Sequence, residues 1–314
     1  MDILFSVIVF IIGVLLLERG ADLFTDRVGE LVERTGVSET VVGLLTAGIE
    51  WEELLVSLVA VFSGSPAIAV GNVIGACIGN LTGSFSLGLL AKPISITREN
   101  RWFALLTLLI TLGVSALLLR GEIGRGEGAL LVGVFVVYFA GTLLLLVRGL
   151  FQPGFAREEE EGGGHHGPLG DLLLAIGGLA LILLGAEAVV QASLTLAHAL
   201  GLSEFVIGLT VVAFGTTLPD KVISVAGALK GQSGIVVANA LGSNIFNLTA
   251  VLGLAALVTP LVVDDATRGF DVPALVAVTV LTGLLFLRQG VGRLAGAGLL
   301  ALYLAYLYIN VFVK

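Results

Sequence analysis

Ten stretches of this 314-residue chain stay apolar for close to the length of a bilayer-crossing helix, with limits near 3–24, 38–62, 67–91, 102–119, 127–150, 169–197, 203–229, 234–262, 272–287 and 291–313. Apolar runs of about 20 residues are the mark of spanning helices, whose backbone groups are satisfied within the segment where no water can reach them. Only 13% of the residues are charged and the mean hydropathy is +1.06, whereas soluble domains carry about 25% charge. The expectation is an all-α, multi-pass protein of the cell membrane with lipid as its main solvent. Residues 1–18 read as the first span and not as a leader, because Asp2 replaces the usual positive start and no small-residue cleavage site follows cleanly. The single cysteine, Cys77, excludes an internal disulfide and reads as a small core residue. The net charge of −8 owes much to the run REEEE at 157–161, and the absence of a basic patch excludes a nucleic-acid partner.

Lys and Arg placement predicts the orientation. Connections on one side hold Arg27, Arg34, Lys92, Arg98, Arg101, Arg148, Arg157, Lys230, Arg288 and Arg293, whereas the other side holds Arg120, Arg125, Arg268 and Lys314. This places both termini outside. The polar, glycine-rich segment 151–168, between the fifth and sixth spans, then becomes a cytoplasmic linker.

The chain also repeats itself. An offset of 165 lays Gly13, Gly20, Gly36, Ser38 and Glu39 on Gly178, Gly185, Gly201, Ser203 and Glu204. After a two-residue gap an offset of 167 lays Gly48, Ser57, Asn72, Gly75 and Asn80 on Gly215, Ser224, Asn239, Gly242 and Asn247. The expected organisation is a first five-helix repeat at 1–150, the linker, and a second five-helix repeat at 169–314. Five is odd, so the second copy enters the membrane from the opposite side. Inverted repeats of this kind build many secondary transporters, with the substrate site at the midplane where interrupted helices meet.

The polar residues of the apolar runs fall where such a site belongs. In the second copy, VIGLTVVAFGTTLPDKVIS at 206–224 carries Gly215, Thr216, Thr217, Pro219 and Asp220. Proline removes a backbone donor, so a helix break at Pro219 is expected to free carbonyl oxygens. Carbonyls, hydroxyls and a carboxylate are the ligands that hard cations such as Ca2+ and Na+ accept. In the following span Ser243 and Asn247 are four apart and share a face. In the first copy the stretch GIEWEE at 48–53 places Glu50, Glu52 and Glu53 between apolar flanks, and Glu53 falls in register with Asp220 as Asn80 does with Asn247. Glu50 and Glu53, three apart, are expected on one helical face with Glu52 about 100° away. An intramembrane carboxylate is costly unless paired, hydrated or protonated. Plainer roles are open to many neighbours. The Gly, Ser and Asn at 71–84 and 238–249 suit helix packing, Lys221 snorkelling or pairing with an acid, Trp51 packing, and His165 and His166 no specific task.

At GTTLPD and GSNIFN the sequence resembles the cation/calcium exchanger superfamily, and within it the sodium/calcium exchangers. The resemblance spans nearly the whole chain and is most specific in two repeats close to G-T-S-x-P-E followed by G-N-x-x-G-S-N. It implies alternating access to one central site that takes Na+ or Ca2+. Carried over, Thr216 and Thr217 take the hydroxyl positions, Pro219 the break, Asp220 the acid, and Ser243 and Asn247 the facing ligands, with Asn247 standing where Asp is frequent. The first repeat departs: Ile49 and Glu50 occupy the hydroxyl positions, Glu52 the proline position and Ala76 the serine position. Glu53 keeps the acid and Asn80 matches.

The expected function is a secondary antiporter exchanging Ca2+ for Na+ at Glu53, Asp220, Glu50, Thr216, Thr217, Asn80, Asn247 and Ser243. Its partners are inorganic cations and the lipid bilayer; no cofactor and no oligomer is required. Glu50, Glu53 and Asp220 together carry −3 against +2 for one Ca2+. Glu50 therefore serves either to couple H+ movement or to replace a lost hydroxyl as a Na+ ligand, which leaves Ca2+/H+ or other cation/H+ exchange as the alternative. An intramembrane enzyme is the reading from a different class, though the chain has no HExxH or GxSxG motif.

Overall fold

The computed structural model describes residues 3–34, 49–148 and 167–313. These residues form eleven helices in order: α1 (Ile3–Glu33), α2 (Trp51–Phe62), α3 (Pro66–Ala91), α4 (Arg98–Leu118), α5 (Arg125–Val147), α6 (Pro168–Leu200), α7 (Glu204–Thr216), α8 (Leu218–Leu229), α9 (Ser233–Val258), α10 (Thr267–Leu285) and α11 (Arg293–Phe312). Among the described residues eight are long and apolar enough to cross a membrane, and α7 with α8 forms a ninth candidate bent by 45°. The expected second span, 38–62, lies partly outside the described residues. Of the linker 151–168, residues 151–166, with both histidines, lie outside them.

The outside of the molecule is apolar, and polar side chains are buried within it among an apolar core. Leu4, Ile11, Leu105, Val137, Leu173 and Leu304 are exposed, whereas Asn72, Asn80, Asn244, Thr249 and Asn310 are buried. An apolar outside suits a surrounding of lipid, where exposed apolar surface carries no penalty.

α1 and α6 are the longest helices and pack against each other more extensively than any other pair. Glycines set their approach. A Cβ on Gly20 would lie 2.7 Å from the Ile182 nitrogen, and one on Gly178 would lie 2.6 Å from the Phe24 nitrogen. Small residues allow this close backbone contact. α1 extends to Glu33 and not to residue 24 as expected. Its polar last turns are supported by Arg27–Glu30 at 2.9 Å and by fully buried Asp171 at the start of α6, 2.8 Å from Arg34 and 3.7 Å from Arg27. Likewise α6 starts at Pro168, which had been assigned to the linker; proline suits the first helical turn because the missing N–H has no partner there.

Two short strand pairs join distant connections. β1 (Ile94–Ser95), after α3, pairs antiparallel with β4 (Gly290–Val291), before α11. β2 (Glu122–Ile123), before α5, pairs antiparallel with β3 (Leu261–Val262), after α9. The connection after the third span-length element of each copy thus meets the last connection of the other.

α3 and α9 each widen from an α-helix into a π-turn, at Asn80–Ser84 and Asn247–Val251. The two turns begin on residues matched by the sequence repeat. Single π-turns inside helices recur at functional sites.

Candidate cation site

Helix α2 begins at Trp51, with Glu50 the residue before it (φ −81°, ψ 83°), and α8 begins at Leu218, with Thr217 before it (φ −85°, ψ 12°). The offset of 167 superposes these two starts. Glu50 is therefore a flanking residue and not a member of the α2 face that the spacing predicted. The bend between α7 and α8 likewise falls at Thr217. Pro219, expected to break the helix, sits in the first turn of α8, where it is tolerated. Gly215, expected to loosen the helix, instead admits Phe10 and Val14 of α1: a Cβ there would lie 2.9 Å from the Val14 side chain.

Glu53 and Asp220 occupy the first turns of α2 and α8, where unpaired N–H groups and the helix dipole favour negative charge. Their relative exposures are 0% and 3%. Oxygens of Glu50, Glu53 and Asp220 all lie within 4.8 Å of one another. Among the described residues no hydrogen-bond partner reaches either Glu53 oxygen or Asp220 Oδ2, all of them buried. Carboxylates so placed are costly unless a cation or proton joins them. Oxygens on opposite sides of Ca2+ are about 4.6–5.2 Å apart, so a single ion can touch all three groups.

α3 and α9 supply neutral donors and acceptors around the acids. Ser243 donates its hydroxyl to Glu50 Oε1. Asn80 and Asn239 stand beside Asp220, yet among the described residues neither amide nitrogen completes a hydrogen bond. Asn247, one turn beyond Ser243, is buried, and neither of its amide atoms is bonded among the described residues. Thr216 donates to Asn72 Oδ1 at 3.3 Å, and Asn72 Nδ2 donates to Ser57 Oγ at 3.1 Å. Asn244 Nδ2 donates to the Cys77 carbonyl at 3.0 Å, which ties α9 to α3 beside the site.

Of the eight residues expected at the site, Glu50, Glu53, Asp220 and Ser243 converge directly, and Thr216, Asn80 and Asn247 lie buried around them. Thr217 is engaged otherwise: its hydroxyl donates to the Ala213 carbonyl at 2.7 Å and accepts from Lys221 Nζ. Glu52 is half-buried and stands outside the carboxylate cluster. Trp51 packs edge-on against Phe24, with ring centroids 4.9 Å apart. Asn72, Asn239 and Ser57 were not anticipated as site residues. The signal that marks them was present, since the repeat offset matches Asn72 with Asn239 and Ser57 with Ser224.

The chain as a whole is similar to known proteins. The family model described as sodium/calcium exchanger protein matches residues 5–144 and 171–312. A putative antiporter, CaxA, of Alkalimonas amylolytica is 32% identical, with 98% of each chain covered. The sodium/calcium exchanger MaX1 of Methanosarcina acetivorans is 27% identical, covering 96% of this chain and 97% of that one. Among solved structures, the sodium-calcium exchanger NCX_Mj soaked with Na+ matches with a TM-score of 0.64 and 29% identity, over 97% of this chain and 98% of that one. With both stretches of the family model matched and the fold shared, the chain belongs to the sodium/calcium exchanger protein family.

Proposed function

We propose that this protein exchanges Ca2+ for Na+ by alternating access at a midplane site whose central ligands are Glu53, Asp220 and Glu50. As a member of its family it is an integral-membrane cation/calcium antiporter and not an enzyme. The observation that carries the site is the convergence of three carboxylates from two helix starts, with buried Glu53 and Asp220 oxygens that no donor among the described residues satisfies. Thr216, Ser243, Asn80 and Asn247 complete the oxygen-rich surround, whereas Thr217, also expected there, is held by Lys221. The site belongs to a reading of the chain as two inverted five-helix halves, 1–150 and 169–314. In that reading both termini lie outside and segment 151–168 in the cytoplasm. The crossed strand pairs and the matched π-turns support it.

One observation favours H+ as the coupling ion in place of Na+. Neutral oxygens that would hold Na+ are scarce in the first copy, where Ile49 and Glu50 stand at the hydroxyl positions and Ala76 at the serine position. In the second copy the Thr217 hydroxyl is already engaged.

Uptake of 45Ca2+ into proteoliposomes under an outward Na+ gradient, and separately under an outward H+ gradient, distinguishes the two. The expected result is Na+-driven uptake that disappears in Glu53→Ala and in Asp220→Ala. Uptake driven only by the proton gradient transfers the assignment to Ca2+/H+ exchange, and uptake retained in both variants removes the site.

A further inference from the structure

Lys221 follows Asp220 directly and is 8% exposed, so it does not snorkel to water. Its Nζ donates to the Thr217 carbonyl at 3.0 Å, to the Thr217 hydroxyl, and to the Phe214 carbonyl at 3.5 Å. Those bonds use all three ammonium donors. Nζ also lies 4.7 Å from the Phe214 ring centroid, and Lys221 shares the start of α8 with the site carboxylate Asp220. Two carbonyls at the C-terminal end of a half-helix, one hydroxyl and a nearby carboxylate make the surroundings that discontinuous helices offer a monovalent cation. Here the ammonium fills them. The offset of 167 places Leu54 opposite Lys221, so the feature belongs to the second copy alone.

We infer that Lys221 is a resident cation: its ammonium takes the place of one transported monovalent ion and sets the number of charges the site exchanges. Glu50, Glu53 and Asp220 contribute −3, and Lys221 returns +1. The net −2 is balanced by one divalent ion or by two monovalent ions, so each cycle moves no net charge. The third carboxylate, Glu50, and the buried lysine are thereby two parts of one compensation. The inference rests on the antiporter reading above and holds whether Na+ or H+ is the counter-ion.

The test is Ca2+ accumulation in proteoliposomes under a fixed counter-ion gradient, at zero potential and at an inside-negative potential clamped with K+ and valinomycin. The wild-type accumulation ratio is expected to be the same at both potentials, and Lys221→Arg, which keeps the charge, should match it. Lys221→Gln leaves the site at −3 and requires a third monovalent ion. Its accumulation ratio should then shift by roughly tenfold for each 60 mV. Glu50→Gln combined with Lys221→Gln returns the site to −2 and should restore indifference to voltage, which a purely structural lysine would not produce. Voltage-dependent accumulation in the wild type overturns the inference even if no variant can be purified. Voltage-independent accumulation in Lys221→Gln overturns it as well. Absence of Ca2+ flux in the wild type under either gradient is a different failure, because it removes the antiporter reading and this inference with it.

Discussion

Asn72 joins the two copies at the edge of the carboxylate cluster. It lies fully buried in α3, accepts from Thr216 of α7 and donates to Ser57 of α2. Removing the amide takes from the Ser57 hydroxyl its Asn72 donor and leaves Thr216 only the Ala213 carbonyl at 3.4 Å, in a place that water reaches poorly. A buried unsatisfied polar group costs about 1–3 kcal/mol, and about 1.4 kcal/mol is tenfold in affinity. Asn72→Ala is therefore expected to weaken Ca2+ binding by about tenfold in isothermal titration of the purified protein, with the fold intact by circular dichroism. Binding within twofold of wild type would reduce Asn72 to a packing residue. Residues differ in how openly the sequence displays such roles. Glu53 and Asp220 are conspicuous because carboxylates inside apolar runs are costly. An asparagine can pack, cap or ligate, and Asn72 is distinguished only by its match to Asn239. Lys221 is harder still. Whether its ammonium reaches water, an acid or a helix end depends on where the backbone bends, and the bend falls at Thr217, two residues before the proline that suggested it.

Among the elements, the crossing of α1 and α6 depends most on residues without side chains. Gly20 and Gly178 sit where an added Cβ would meet the opposite backbone, whereas a Cβ on neighbouring Gly177 would meet nothing within 4 Å. Gly20→Val and Gly178→Val must therefore push two long helices apart. Overpacking of this kind costs about 1–3 kcal/mol. Both are expected to lower the thermal unfolding midpoint in detergent, with Gly177→Val close to wild type. Equal loss in all three would mean that β-branching, and not the crossing, sets the cost. The spacing of these glycines across the repeat was plain in the sequence, but their partner was not, because close approach between helices is a property of the packed pair. The extent of α1 was hidden for a related reason. Asp22, Asp26, Arg27 and Glu30 look like the end of a span, yet buried Asp171, remote in sequence, receives Arg27 and Arg34 and lets the helix continue.

At the scale of the whole molecule, inversion ties the chemistry to the membrane. If the two copies face opposite ways, the acid at the start of α2 and the acid at the start of α8 reach the midplane from opposite sides, and one ion can be handed between two equivalent half-pathways. The strand pairs make this testable without transport. Ser95 and Gln289 belong to one paired edge: the Ile96 nitrogen donates to the Gln289 carbonyl at 3.0 Å, beside the Ser95–Gly290 register. Glu122 and Val262 face each other in the second pair. The two edges are separated by α4, 21 residues or about 31 Å of helix, which matches the hydrocarbon thickness. Cys77 is buried and is the only cysteine, so single cysteines can be introduced in a Cys77→Ala background. In the proposed orientation, with both termini outside, the Ser95 edge faces the cytoplasm. A membrane-impermeant maleimide is therefore expected to label Glu122→Cys and Val262→Cys in intact cells, and Ser95→Cys and Gln289→Cys only after lysis. The reverse pattern would keep the inversion and turn the molecule over. Labelling of all four from one side would mean that α4 does not cross, and the two acids would then have no claim to opposite approaches.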